Sequence, residues 1–196
     1  AVQRLLLPDE APSEMLEQGE IQSIVFGPMG RLSKARMLAF HIPDGLDAAR
    51  RKQWLSYVAK NLSFGDSPPA RSAMIALFGP DGLHRLGLDA ADGGDPLASF
   101  PLAFRQGMSN PYRSRILDDS GSNDPEAWLW GSGQNPVDVI VNCYADTPEL
   151  LAGIVRALER ESQEAGVAIV HKLDLSIIPA PSANADGRRA KAQDQF

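Results

Sequence analysis

Two stretches of the chain repeat apolar residues at helical spacing. In PDGLDAARRKQWLSYVAKNL, Leu55, Val58 and Leu62 recur every three or four residues, which predicts a helix over 46–63. Asp44 is placed to cap this helix and Asp47 to favour its first turn. In DTPELLAGIVRALERESQEAG, Leu151, Ile154, Val155 and Leu158 form one stripe, which predicts a second helix over 147–165. Thr147 is a capping residue there, Pro148 suits the first helical position, and Gly166 sits where a C-terminal cap belongs.

Four short apolar runs flank the helices: ARMLAFHI (35–42), RSAMIALF (71–78), VDVIVNCY (137–144) and VAIVHKLDL (167–175). In the third, Val137, Val139, Val141 and Cys143 alternate with Asp138 and Asn142, as in a strand with one buried face. The order strand, helix, strand, strand, helix, strand is the split βαβ pattern of a ferredoxin-like domain. The expected fold is therefore α+β, an antiparallel sheet with both helices on one face. An extra N-terminal strand is expected over EIQSIVFG (20–27). The first run offers Leu38, Phe40 and Ile42 on one side and Met37, Ala39 and His41 on the other. The second offers Ala73, Ile75 and Leu77 against Met74, Ala76 and Phe78, so the sheet reads as covered on both faces.

The connection 79–136 is too long for a plain loop in a compact domain and reads as an ordered insertion. It holds a short helix candidate, DGLHRLGL, and a Pro/Ser/Asp/Gly-rich stretch that ends in PEAWLWGSGQNP. The ferredoxin-like domain is expected over 20–178, between an N-terminal extension (1–19) and a linker (179–196).

Composition narrows the function classes. A chain of 196 residues, 43% hydrophobic and 22% charged, can bury a core that needs neither disulfide nor metal. A net charge of −6 without a Lys/Arg cluster argues against nucleic acid. No run approaches the roughly 20 apolar residues of a membrane span, and the start AVQRLLLPDEAPSEM lacks the apolar core of a signal peptide, so a cytoplasmic location is the expectation. The single cysteine, Cys143, excludes an internal disulfide and a Cys-based zinc site, and its place on an apolar strand face marks it as inert.

Candidate chemistry is sparse. His41, His84 and His171 lie on separate elements, none with a second ligand at metal spacing. His171 alternates in phase with Ile169 and Leu173, which reads as a core or interface histidine. GSG (131–133) precedes a strand rather than a helix, and GPMGR (27–31) lacks the Lys-Ser/Thr of a phosphate loop, so both are turns. The acid pairs Asp118–Asp119 and Glu159–Glu161 read as solvated surface. Trp128 and Trp130 would point to opposite sides of an extended EAWLWG, one packed and one at the surface. The residues by themselves describe a fold and assign no catalytic, cofactor-binding or metal-ligating position.

Six pieces in register nevertheless resemble a known family. IQSIVFG, FGPDGLHRLGL, FPLAFRQGM, RSRILDDSGSNDPEAWLWG, VDVIVNCYAD and VAIVHKLD are similar, in that order, to the N-terminal half of a dye-decolourising (DyP-type) haem peroxidase. The resemblance runs from about Ile21 to Phe196, with one departure: Asp118 stands where relatives usually carry Gly before the Asp. It implies an enzyme built from two ferredoxin-like halves that uses hydrogen peroxide to oxidise dyes and phenolic compounds. The cofactor it implies is haem b, held by the half not present in this chain. In the family a G-F-x-D-G motif follows the linker, and AQDQF reads like its approach. The haem-binding histidine and the distal arginine come later still. His41, His84 and His171 do not match the ligand position, so this chain alone is expected to lack catalytic, haem-binding and metal-binding residues. The implied partners are the missing C-terminal half, a small-molecule reductant and hydrogen peroxide, with a homo-oligomer allowed and neither nucleic acid nor membrane. For this half the resemblance leaves scaffolding, with electron transfer through a surface Trp54, Trp130 or Tyr112 as a lesser role. The alternative from another class is a non-catalytic ferredoxin-like module that pairs through its sheet.

Overall fold

The computed structural model describes residues 17–67, 69–88 and 93–176. The expected 179–196 linker and all but the last three residues of the expected 1–19 extension lie outside them. The elements are β1 (Lys34–His41), α1 (Ala48–Asn61), β2 (Ser72–Phe78), α2 (Pro80–Arg85), α3 (Leu102–Gln106), α4 (Pro111–Leu117), β3 (Val139–Ala145), α5 (Pro148–Ala165) and β4 (Ala168–Leu175). The strands form one sheet in the order β2-β3-β1-β4, with every neighbouring pair antiparallel. This is the ferredoxin-like arrangement expected from the element order.

Alternation along the strands puts Leu38, Phe40, Met74, Val141 and Cys143 on the face covered by α1 and α5, all at most 4% exposed. Trp54 of α1 is fully buried against Phe40, with ring centroids 5.3 Å apart. Its Nε1 donates to Ser162 Oγ of α5 at 2.9 Å, and that hydroxyl donates to the Leu158 carbonyl at 2.7 Å. A polar relay thus ties the two helices inside an apolar layer, where an unpaired indole N–H would be costly. Full burial removes Trp54 from the surface electron-transfer candidates. Burial also pushes the Cys143 thiol up to about 12, against a small opposing pull from Arg36.

Capping sorts itself differently at the two helix starts. Asp47, not Asp44, is the N-cap of α1, accepting from the Ala49 and Arg50 amides, while Asp44 reaches Arg85 at 3.1 Å. Thr147 caps α5 through the Leu150 amide, and Gly166 closes it with φ +78°, both as expected. Asp118, the one departure from the resemblance, has a backbone consequence. Asp118 ends α4 in the left-handed region at φ +58°, where glycine is at ease and a side chain is strained.

The opposite sheet face is partly covered. Met29 and Leu32 pack there against Ala35, Ala73, Ile75 and Tyr144. Met37 and Ala39 at the centre are also buried, while Leu77 on one edge strand and Leu173 on the other remain 51% and 44% exposed.

Two expectations fail here. EIQSIVFG is not a strand: it forms short 3-10 turns over Gln18–Glu20 and Ser23–Val25, with one isolated bridge, Gln22 to Phe64. The reason lies in who occupies the edge of β2. Ser63 accepts from the Met74 amide through its hydroxyl at 3.2 Å and donates its own amide to the Met74 carbonyl at 2.9 Å. The Gln22 side-chain amide then bonds both backbone groups of Ala76 at 2.8 Å, standing in for one rung of a neighbouring strand. The edge is closed without a fifth strand. The second failure is the phase of β4. A register shift opposite Ala39/Phe40 leaves Val170 unpaired, so Ile169 packs with the helices while His171 and Leu173 sit on the other face.

Candidate functional site

The sheet end where β1 finishes and β3 begins carries the most highly connected polar group of the described residues. Asp138, only 1% exposed, immediately precedes β3. Its backbone amide donates to Phe40 and its carbonyl accepts from Gly79, so the main chain at this point joins three strands. Its carboxylate accepts from Arg85 Nη1 at 2.7 Å, from the Ile42 amide at 2.7 Å and from His41 Nδ1 at 2.8 Å. A carboxylate in this bridge only accepts, which sets the His41 proton on Nδ1.

Local sequence explains how Arg85 arrives. FGPDGLHR turns from β2 into α2, with Pro80 at the first helical position. Gly82 and Arg85, three residues apart, share the helix face that meets Asp138. At Gly82 any side chain would run into the Asp138 carbonyl, so the close approach needs glycine. Burial alone would lower the Arg85 pKa, and its bonds to Asp138 and Asp44 outweigh this, leaving it raised.

Beside this node lies a groove of about 1040 Å3. Its floor is Leu77 of β2 and Ile140 of β3 on the partly open sheet face, and Asp138 and Val137 form one end. One wall runs from α3 through Ser109, with Phe104, Gln106 and Met108. The other is the 128–133 loop. Trp128 and Trp130 both line it, each indole with its own partner. The chain bends between them, Trp128 Nε1 donating to the Asn123 carbonyl at 3.0 Å and Trp130 stacking on His171 with ring centroids 6.1 Å apart. Leu129 between them is 79% exposed.

The three histidines are not brought together as ligands. His41 is engaged by Asp138, His171 lies against Trp130, and His84 is on α2. GSG (131–133) is a turn, with Gly131 at φ +85° donating to the Asn135 carbonyl. Sequence reasoning did not single out Asp138, Arg85 or Gln22. The one available signal was Asp138 itself, an acid flanked by the apolar Val137, Val139, Ile140 and Val141.

A four-stranded antiparallel sheet in this order, with two helices on one face, defines the ferredoxin-like class of α+β domain. No family model matches the chain, and no curated sequence does. Solved structures do. A fungal DyP-type peroxidase from Auricularia auricula-judae is 18% identical, with a TM-score of 0.63, over 86% of this chain and 35% of its own. A dye-decolorizing peroxidase in complex with 2,6-dimethoxyphenol is 17% identical, TM-score 0.63, over 84% of this chain and 35% of its own. The DyP-type peroxidase of Anabaena sp. is 16% identical, TM-score 0.60, over 81% and 33%. At these identities the likeness is one of fold, and the chain spans about a third of the length of these relatives.

Proposed function

We propose that this chain is the N-terminal half of a DyP-type haem peroxidase that uses hydrogen peroxide to oxidise dyes and phenolic compounds. The observation that carries the reading is the shared fold: more than four-fifths of this chain superposes on about a third of each of several such peroxidases. The six sequence pieces in register support it independently. One solved relative is described by its haem pocket, and haem would supply the redox chemistry of the parent enzyme.

This reading places the haem ligand outside the described residues. A peroxidase iron needs an axial imidazole oriented through its other nitrogen and facing a cavity. The groove has no histidine in its lining. His41 does have an oriented ring, yet it lies outside that lining. In this reading haem b belongs to a second, C-terminal half. This half contributes scaffold, and its half-exposed apolar side chains, such as Leu173 on β4 and Ile116 and Leu117 on α4, become the surface on which the second half docks. The domain limits of 20–178 and a cytoplasmic location are part of the same proposal. Among the described residues, no helix is long and apolar enough to cross a membrane.

The test is to isolate the protein from its natural source and measure its intact mass, its haem absorbance and its peroxide-dependent oxidation of 2,6-dimethoxyphenol. A polypeptide well over twice this length, carrying haem and turning over, is expected. A native protein of 196 residues without turnover would overturn the reading and favour the module that pairs through its sheet.

A further inference from the structure

We propose that β4, the free edge of the sheet, is a self-pairing surface whose partner is a second copy of this chain. The two edges of the sheet are finished differently. Ser63 and Gln22 occupy the edge of β2, whereas among the described residues no backbone hydrogen bond reaches the outer edge of β4. An eight-residue strand with one unpaired edge is a template for another strand. A lysine on such an edge commonly blocks pairing, so the residues around Lys172 decide what the edge accepts.

Charge selects a copy of the same strand. Lys172 and Asp174 lie on the helix face of the sheet, where Lys172 meets Glu159 of α5 at 2.5 Å and Asp174 meets Arg36 of β1 at 2.6 Å. Both remain exposed and able to take a second partner. Leu173 between them points to the other face and is 44% exposed. Residues opposed in an antiparallel ladder share a face, so a two-fold axis between two copies of β4 must pass beside a residue. An axis at Lys172 sets two ammonium groups opposite each other, and one at Asp174 sets two carboxylates. An axis at Leu173 sets each Lys172 opposite Asp174 of the second copy, twice by symmetry. The helix face then carries a row of alternating sign: Glu159 and Lys172 of one copy, Asp174 and Arg36 of the other. This register pairs residues 171–175, the stretch that follows the unpaired Val170 and runs beside β1 without interruption. It uses the strand edge and leaves the open sheet face for a second half, so it does not rest on the peroxidase reading.

Sedimentation velocity of the 196-residue chain over a wide concentration range tests it, with the folding of each variant checked by circular dichroism. The chain is expected to form a concentration-dependent dimer. Lys172→Asp and Asp174→Lys each turn both cross-strand pairs from attraction to repulsion, and each should weaken that dimer about tenfold or more. An equimolar mixture of the two variants brings opposite charges together again at both pairs and should dimerise as well as the parent chain. Lost contacts to Glu159 or Arg36 within a chain cannot produce that recovery, because they stay lost in the mixture. A chain that remains monomeric, a dimer unmoved by either substitution, or a mixture no more associated than its components would each overturn the proposal.

Discussion

Replacing Asp138 by Asn is the sharpest perturbation of this fold that keeps its shape. The carboxylate is 1% exposed and accepts three hydrogen bonds of 2.7, 2.7 and 2.8 Å. Asn removes the charge and converts one acceptor edge into a donor. If its oxygen stays on Arg85, its NH2 group faces the Ile42 amide and His41 Nδ1–H, donor against donor. Breaking a buried charge pair from one side costs about 3–5 kcal/mol, and each stranded buried donor about 1–3 kcal/mol. Arg85 softens the loss, because its side chain is 27% exposed and retains Asp44 at 3.1 Å. The net expectation is a loss of about 3 kcal/mol, a large share of the roughly 5–15 kcal/mol that holds a domain together. For a chain of this size that lowers Tm by about 6–12 °C. Urea unfolding followed by far-UV circular dichroism should show an earlier midpoint at an unchanged slope. The double variant Asp138→Leu with Arg85→Met removes the ion pair but still strands the Ile42 amide, so it should recover only the part of the loss that Arg85 accounts for. A loss below about 1 kcal/mol for Asp138→Asn would refute the account of Asp138 as a buried charge node.

Three further outcomes follow from the same physics. Asp118→Gly relieves a side chain at φ +58° and should stabilise the protein by about 0.5–1 kcal/mol, read as a later urea midpoint. Gln22→Ala strands both backbone groups of Ala76 at the sheet edge, costing about 1–3 kcal/mol and speeding amide exchange at Ala76 while Ile75 stays protected. Cys143 should resist thiol reagents at pH 8 and react only on unfolding. Because burial raises its folded pKa to about 12, its contribution is present below the ordinary value of 9.0 and lost as pH rises from there toward 12, and Cys143→Ala should flatten that alkaline loss.

Local periodicity determined the elements that bury a stripe. The repeat of Leu151, Val155 and Leu158 needs only helical geometry to place one face inward, and Thr147, Pro148 and Gly166 mark its ends by their own backbone preferences. The four strand runs and their order then left the ferredoxin-like sheet as the arrangement that buries both helices. Tertiary structure decided what local preference cannot see. Gln22 lies in a β-prone run, yet Ser63 already holds part of the β2 edge, so the side-chain amide and not a new strand completes it. An unpaired residue in β4 turned His171 away from the helices, because a single insertion reverses every side chain beyond it. Asp47 caps α1 in place of Asp44, which instead reaches Arg85. Asp138, Arg85 and His41 are separated by up to 97 residues; β1–β3 pairing brings His41 to Asp138, and the close packing of α2 at Gly82 brings Arg85. Trp128 and Trp130 likewise line one groove with separate partners, which alternation along an extended chain does not foretell. Periodicity reports which faces turn inward, and long-range pairing decides which polar groups meet there.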